Sequence, residues 1–131
     1  MEPVFLTFEE VVEIHANHIE VHGGHSGIRD PALLQSALAA PQAAFGGQYL
    51  HGDLCEMAAA YVFHIARNHP FADGNKRTAL LSAFVFLNVN GLRLTAGESD
   101  FEDAVRAAAE GRTDKAAIAE FFRAHTEATS D

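Results

Sequence analysis

Two strongly apolar stretches at helical spacing, over about 54–68 and 76–90, are separated by His69-Pro70-Phe71-Ala72-Asp73-Gly74-Asn75, a run that neither helix can absorb. Pro70 disfavours helical geometry at the residue before it, and Asp-Gly-Asn is turn chemistry. The chain is therefore built around a helical pair whose connecting loop is held by the core on both sides. The first helix opens at Asp53 and Glu56 and carries Leu54, Met57, Ala58, Tyr61, Val62 and Ile65 on one face. The second, closed by Gly91, is apolar nearly all round (Leu80, Leu81, Ala83, Phe84, Val85, Phe86, Leu87), which predicts that it is the buried central helix.

Helix signals recur on either side. Thr7 and Glu10 form a capping box before a stripe of Phe8, Val11, Val12, His15 and Ile19, and Gly23-Gly24 stops that helix. Asp30-Pro31 is an N-cap followed by proline at the first helical position, opening a short helix through about residue 40. Residues 41–52, with Gly46-Gly47, Phe45 and Tyr49, read as a loop or small hairpin flap. Leu92 to Thr95 is a short extended piece. Ser99 with Glu102 predicts a second capping box for a helix ending near Gly111, and Thr113 is the predicted cap of a last helix carrying Ile118, Phe121 and Phe122. No repeat or Pro/Gly/Ser linker divides the sequence. The expectation is one domain over 1–131, an all-α bundle of six helices around a central one, with a short flap.

Composition narrows the function. Nine Lys and Arg against eighteen Asp and Glu leave a net charge of −9, which excludes a protein that lives on bulk attraction to nucleic acid or anionic membranes. A local basic pocket remains compatible. Cys55 is the only cysteine and can close no internal disulfide. The longest apolar stretch, over 79–89, is too short to span a bilayer. No charged-then-apolar leader is visible at the N-terminus, so a cytoplasmic location is expected.

The chemistry concentrates in residues 69–77. His69 is the side chain suited to take a proton near neutral pH. Asp73 is a hard oxygen ligand of the kind that holds Mg²⁺ while phosphates complete its shell. Gly74 lets the backbone approach a ligand closely or adopt positive φ. Asn75 can cap the following helix, whose N-terminus is an anion site, and Lys76 and Arg77 add cations there. Base, metal ligand, anion cradle and cations suit transfer from a nucleotide to a hydroxyl. Asp73 or Lys76 alone would read as a turn residue or a solvated charge; the whole run is more than an idle turn needs.

Other residues have structural readings. His15, His18, His22 and His25 invite a metal hypothesis, yet no cysteine or carboxylate completes the set; His15 is expected at the edge of the packed stripe and the others at the surface. Arg67 is either a cation at a helix C-terminus or a phosphate or target contact at the rim of the site. His64 is read as a partly buried helix residue. Phe84, Phe86, Phe101, Phe121 and Phe122 are expected in the core, since no basic residues are interleaved with them for base stacking.

His69, Pro70, Phe71, Asp73, Gly74, Asn75 and Arg77 resemble the His-Pro-Phe-x-Asp-Gly-Asn-x-Arg motif of the Fic family, and Lys76 through Leu80 look like its Doc (death-on-curing) branch. The likeness extends to His22-Gly23-Gly24, Arg29-Asp30-Pro31 and Asn90-Gly91. The resemblance implies that His69 activates the target hydroxyl and that Phe71 anchors the loop. It implies further that Asp73 binds Mg²⁺, that Gly74 and Asn75 form an anion hole, and that Arg77 clamps phosphate oxygens. Most Fic proteins transfer AMP from ATP. Doc resembles a kinase that passes the γ-phosphate of ATP to a threonine of elongation factor Tu, and Lys76 in place of a second glycine and Leu80 in place of a second arginine are Doc-like. Gly74, where some Doc sequences carry alanine, is closer to ordinary Fic.

Many Fic proteins also carry an inhibitory Ser/Thr-x-x-x-Glu-Gly or -Asn helix. Here the only Glu before Gly or Asn is Glu110, four residues after Arg106, so that motif is absent and the resemblance implies an antitoxin acting in trans. Three functions stay open at this point: γ-phosphate transfer, AMP transfer, and a non-enzymatic binding module on the same fold.

Overall fold

The structure is a computed structural model and describes residues 2–129. Helix α1 (Phe8–His22) opens with the predicted capping box: Glu10 N–H donates to Thr7 Oγ1 at 3.1 Å, and Thr7 N–H to the Glu10 carboxylate at 2.8 Å. Helix α2 (Pro31–Ala39) starts at proline, with the Asp30 carboxylate accepting from Leu33 N–H, and runs into a 3₁₀ turn (Ala40–Gln42). The flap is a two-stranded hairpin of β1 (Ala44–Phe45) and β2 (Gln48–Tyr49). Helices α3 (Leu54–Asn68) and α4 (Asn75–Val89) pack on each other and enclose the motif loop between them. After β3 (Leu92–Leu94) come α5 (Glu98–Ala109), α6 (Lys115–Ala124) and β4 (Thr126–Ala128), which pairs antiparallel with β3.

The central helix is α3, not α4 as its apolar composition predicts. Helix α3 touches α2, α4, α5 and α6, and nine of its residues are buried. Ala58, Ala59, Ala60 and Ala66 are among them, fully enclosed; small side chains let neighbouring helices close in on every side. Helix α4 buries Ala79, Leu80, Ala83, Phe86 and Leu87 but leaves Phe84 45% exposed, so Phe84 is not a core aromatic. Phe86, Phe101 and Phe122 are buried, and Phe121 packs against them half-exposed. Among the described residues no helix is long and apolar enough to cross a membrane.

Three predicted caps are relocated. Helix α5 begins one residue before Ser99, with Gly97 as an N-cap that has no side chain to offer, because Glu102 turns to Arg77 instead. Helix α6 is capped by Asp114, one residue after Thr113; its carboxylate accepts from Ala117 N–H at 2.9 Å. Asn75 does not cap α4 either. It is the first helical residue, and its side chain is engaged with the loop behind it.

Candidate functional site

Helix α3 ends in His69, at φ 48 and ψ 56 the one non-glycine residue of left-handed conformation among the described residues. Such a conformation costs free energy in a residue with a Cβ and persists only where neighbours enforce it. The enforcement comes from the loop between α1 and α2. Arg29 Nε donates to the His69 carbonyl at 2.7 Å and Nη2 to that of Asn68 at 3.0 Å. The Pro70 carbonyl accepts from the N–H groups of Arg29 and Asp30, Ala72 N–H donates to the Gly27 carbonyl, and Ile28 bridges to Phe71. Gly24 passes so close to the motif that a Cβ there would lie 2.8 Å from the Asp73 carboxylate. Only glycine fits that approach.

Inside the loop, Phe71 is buried and its ring stacks on His15 of α1, centroids 3.9 Å apart and planes 7° from parallel. The Asn75 amide closes the turn on Phe71 from both sides: Oδ1 accepts from Phe71 N–H at 2.9 Å, and Nδ2 donates to the Phe71 carbonyl at 3.0 Å. Gly74 takes φ 75 as the N-cap of α4. Among the described residues no side chain caps this helix, which leaves the first-turn N–H groups of Asn75, Lys76 and Arg77 open.

These residues surround an open cavity of about 470 Å³ lined by His69, Ala72, Asp73, Gly74, Asn75, Lys76 and Arg77. The Asp73 carboxylate is exposed; Oδ2 accepts from His25 N–H at 3.2 Å and Oδ1 from Gly74 N–H at 2.9 Å. Those two backbone bonds hold its pKa below the usual carboxylate value. Arg77 donates through Nη1 to both Glu98 and Glu102 of α5, at 3.0 and 3.1 Å. His18 lies against Gly74, and burial, with His22, Arg77 and His15 nearby, pushes its pKa down. The site is thus a helix N-terminus with open donors, an ionised carboxylate, two cations and the His69 imidazole around one cavity, an arrangement suited to polyphosphate.

The Fic/DOC family model matches residues 5–87, which takes in α1 to α3, the whole loop from His69 to Arg77 and most of α4. The chain belongs to the Fic/Doc family. It is similar to the Toxin Doc of Mycolicibacterium smegmatis, 46% identical over 74 residues, or 56% of this chain and 57% of that one. It is also similar to the Protein kinase doc of Escherichia phage P1, 34% identical over 115 residues, 88% of this chain and 90% of that one. The match thus spans little more than half of the first relative and nearly all of the second. Both relatives are Doc proteins, and this Fic/Doc chain sits in that branch.

Within the Fic/Doc site, the residues singled out from sequence that gather round one cavity are His69, Asp73, Gly74, Asn75, Lys76 and Arg77, with Phe71 beneath them. Arg67 does not line that cavity; its guanidinium stacks over Phe63 and abuts Gly111 in the α5–α6 turn. The four histidines divide. His15 is buried in the motif, while the His18 and His22 rings lie 4.9 Å apart; no cluster of three or more His, Cys, Asp or Glu able to hold a metal exists among the described residues. His64 is partly buried as read, and beside Lys115. From the sequence, Arg29 had no role at the site beyond the family likeness, Glu102 only a capping role, and Glu98 none. Gly23, Gly24 and Gly27, all at positive φ, are the signal that could have drawn attention to the loop carrying Arg29; nothing in the sequence pointed from α5 to Arg77.

Proposed function

We propose that this chain is a Doc-like toxin, a cytoplasmic phosphotransferase that passes the γ-phosphate of ATP to a Ser or Thr hydroxyl of a translation factor such as elongation factor Tu. The observation that carries this reading is the convergence of His69, Asp73, Asn75, Lys76 and Arg77 on one cavity at the uncapped N-terminus of α4. A relative named Protein kinase doc supports phosphate over AMP as the transferred group. So does Leu80, an apolar residue of α4 three positions after Arg77, where AMP-transferring relatives are expected to carry a second arginine.

In this reading the open N–H groups of Asn75, Lys76 and Arg77 receive phosphate oxygens, and the Lys76 ammonium and the Nε–Nη2 edge of Arg77, which bonds nothing among the described residues, offset their charge. Among the described residues no group hydrogen-bonds the His69 ring, which leaves an imidazole nitrogen for the acceptor hydroxyl. As the acceptor oxygen bonds to the γ-phosphorus, its proton passes to His69. The bond from that phosphorus to the bridging oxygen breaks, and its electrons leave on ADP. Asp73 fits a Mg²⁺ ligand: its oxygens are exposed, each spends one lone pair on a backbone N–H, and those bonds keep it ionised. Mg²⁺ held there supplies charge neutralisation on the phosphates. No inhibitory motif occurs within these 131 residues, so the proposal includes a small antitoxin that binds in trans through a segment folding onto the helices.

The test is the mass gained by purified elongation factor Tu incubated with this chain, ATP and Mg²⁺. A phosphate on a hydroxyl is expected. An added AMP supports the nucleotidyl-transferase alternative, and no addition to this or any other cellular protein supports a binding module.

A further inference from the structure

We infer that His15 is a positioning residue of this site, fixing the orientation of the Asp73–Gly74 peptide so that its carbonyl faces into the fold and its N–H faces the carboxylate side. The inference rests on the phosphate-binding reading above. His15 sits in the middle of α1, 3% exposed, and its Nε2 lies 2.8 Å from the Asp73 carbonyl oxygen. A carbonyl only accepts, so Nε2 carries the proton and donates. The peptide is planar and trans, which points the Gly74 N–H the opposite way, where Asp73 Oδ1 accepts it at 2.9 Å.

That orientation is not secured by the loop alone. Gly74 holds φ 75, and glycine populates positive and negative φ about equally, so rotating this peptide by half a turn meets little backbone resistance. The rotated form would aim a partially negative carbonyl oxygen toward the cavity, next to phosphate oxygens. His15 opposes the rotation by giving the carbonyl its partner inside the fold, since a carbonyl turned inward without one would be unsatisfied. The stack on Phe71 fixes the ring plane and hence the direction of the Nε2–H bond. One helix residue thereby ties together two residues of the motif, Phe71 and Asp73.

The experiment compares the full chain with His15→Phe, which keeps the stacked ring and removes the donor, and His15→Gln, which keeps an N–H donor at similar reach. Three quantities are read: melting temperature, the affinity for inorganic pyrophosphate with Mg²⁺, and the amide resonance of Gly74. The expectation for His15→Phe is a displaced Gly74 resonance and pyrophosphate binding weaker by on the order of fivefold, the weight of one neutral hydrogen bond, because that bond biases the peptide toward its binding orientation. His15→Gln should return both readouts close to wild type. An unmoved Gly74 resonance in His15→Phe overturns the inference, as does equal loss in both variants, which would mean that the ring matters only for packing. If His15→Phe does not fold, His15→Leu replaces it under the same criteria. Should the wild-type chain bind no pyrophosphate, the phosphate reading fails, while the Gly74 resonance still decides whether His15 sets the peptide.

Discussion

Replacing Arg29 separates positioning from stability at this site. Its guanidinium bonds the carbonyls of His69 and Asn68 at 2.7 and 3.0 Å, beside a residue held at φ 48. Charge-assisted bonds of this kind are worth roughly 1.5–3 kcal/mol when dry. Both here are solvent-exposed, and water replaces much of what Arg29→Ala removes, so the loss is about 0.5–1 kcal/mol for each bond. The total of about 1–2 kcal/mol lowers the melting temperature by roughly 3–10 °C for a chain of this length. The protein then remains folded at room temperature. Catalysis is more sensitive, because freeing His69 from its left-handed conformation displaces the ring, and a displacement of ~1 Å costs about 10²-fold in rate. The assay pairs a thermal melt with the initial rate of phosphate transfer at 25 °C. Arg29→Lys, which keeps the charge without the fork, should fall between the two. Transfer at the wild-type rate in Arg29→Ala would refute the claim that the loop between α1 and α2 positions the base.

Four further outcomes are expected. His69→Ala should lower transfer by about 10²–10⁴-fold and abolish growth arrest, with folding and ATP binding retained in a melt and a titration; full toxicity would sink its assignment as base. Asp73→Asn should weaken Mg²⁺-dependent ATP binding and leave the melting temperature nearly unchanged, because the side chain is exposed; a large drop in melting temperature with intact binding would make it a turn residue. Phe71→Ala should cost about 3–5 kcal/mol, since the ring is buried to 1% exposure, and chemical denaturation would read this directly. The fourth concerns pH. Burial first, then Lys115 and His51, push the His64 pKa from 6.5 down to about 4, so the unfolded chain binds more protons between these values. Stability should therefore fall as pH drops from about 6.5 to 4, and His64→Gln should flatten that part of a melting-temperature profile.

The helices were legible because their signals are local. The Thr7–Glu10 box, Asp30-Pro31 and the Asp53 cap each act within one turn, and α1, α2 and α3 start where these residues place them. What was not legible is which helix lies in the middle. Apolar content measures how much surface a helix can bury, and on that measure α4 leads. Centrality depends on how many neighbours can reach a helix, and the alanines of α3 permit that without adding hydrophobic mass. The same distinction explains the caps at α5. Ser99 and Glu102 carry a correct local pattern, but Glu102 has a partner on α4, and a cation at 3.1 Å outcompetes a reciprocal cap.

The site divides along the same line. Its reactive groups are contiguous in sequence, so composition and spacing between two helices were enough to find them. Its geometry is set from a distance, and each constraint enters from an element that carries no chemistry of its own. Arg29 holds the carbonyls at the end of α3, Gly24 admits the Asp73 carboxylate, and Glu98 and Glu102 hold one nitrogen of Arg77. Even Asn75, which sequence assigns to the helix N-terminus, spends its amide on Phe71 four residues back. Closing the turn this way gives up a side-chain cap and leaves the first-turn N–H groups of α4 open, which is what an anion requires. A cap at that helix would stabilise the fold and block the cradle; the structure gives up that cap, and the motif loop is held from α1, from the loop before α2 and from α5.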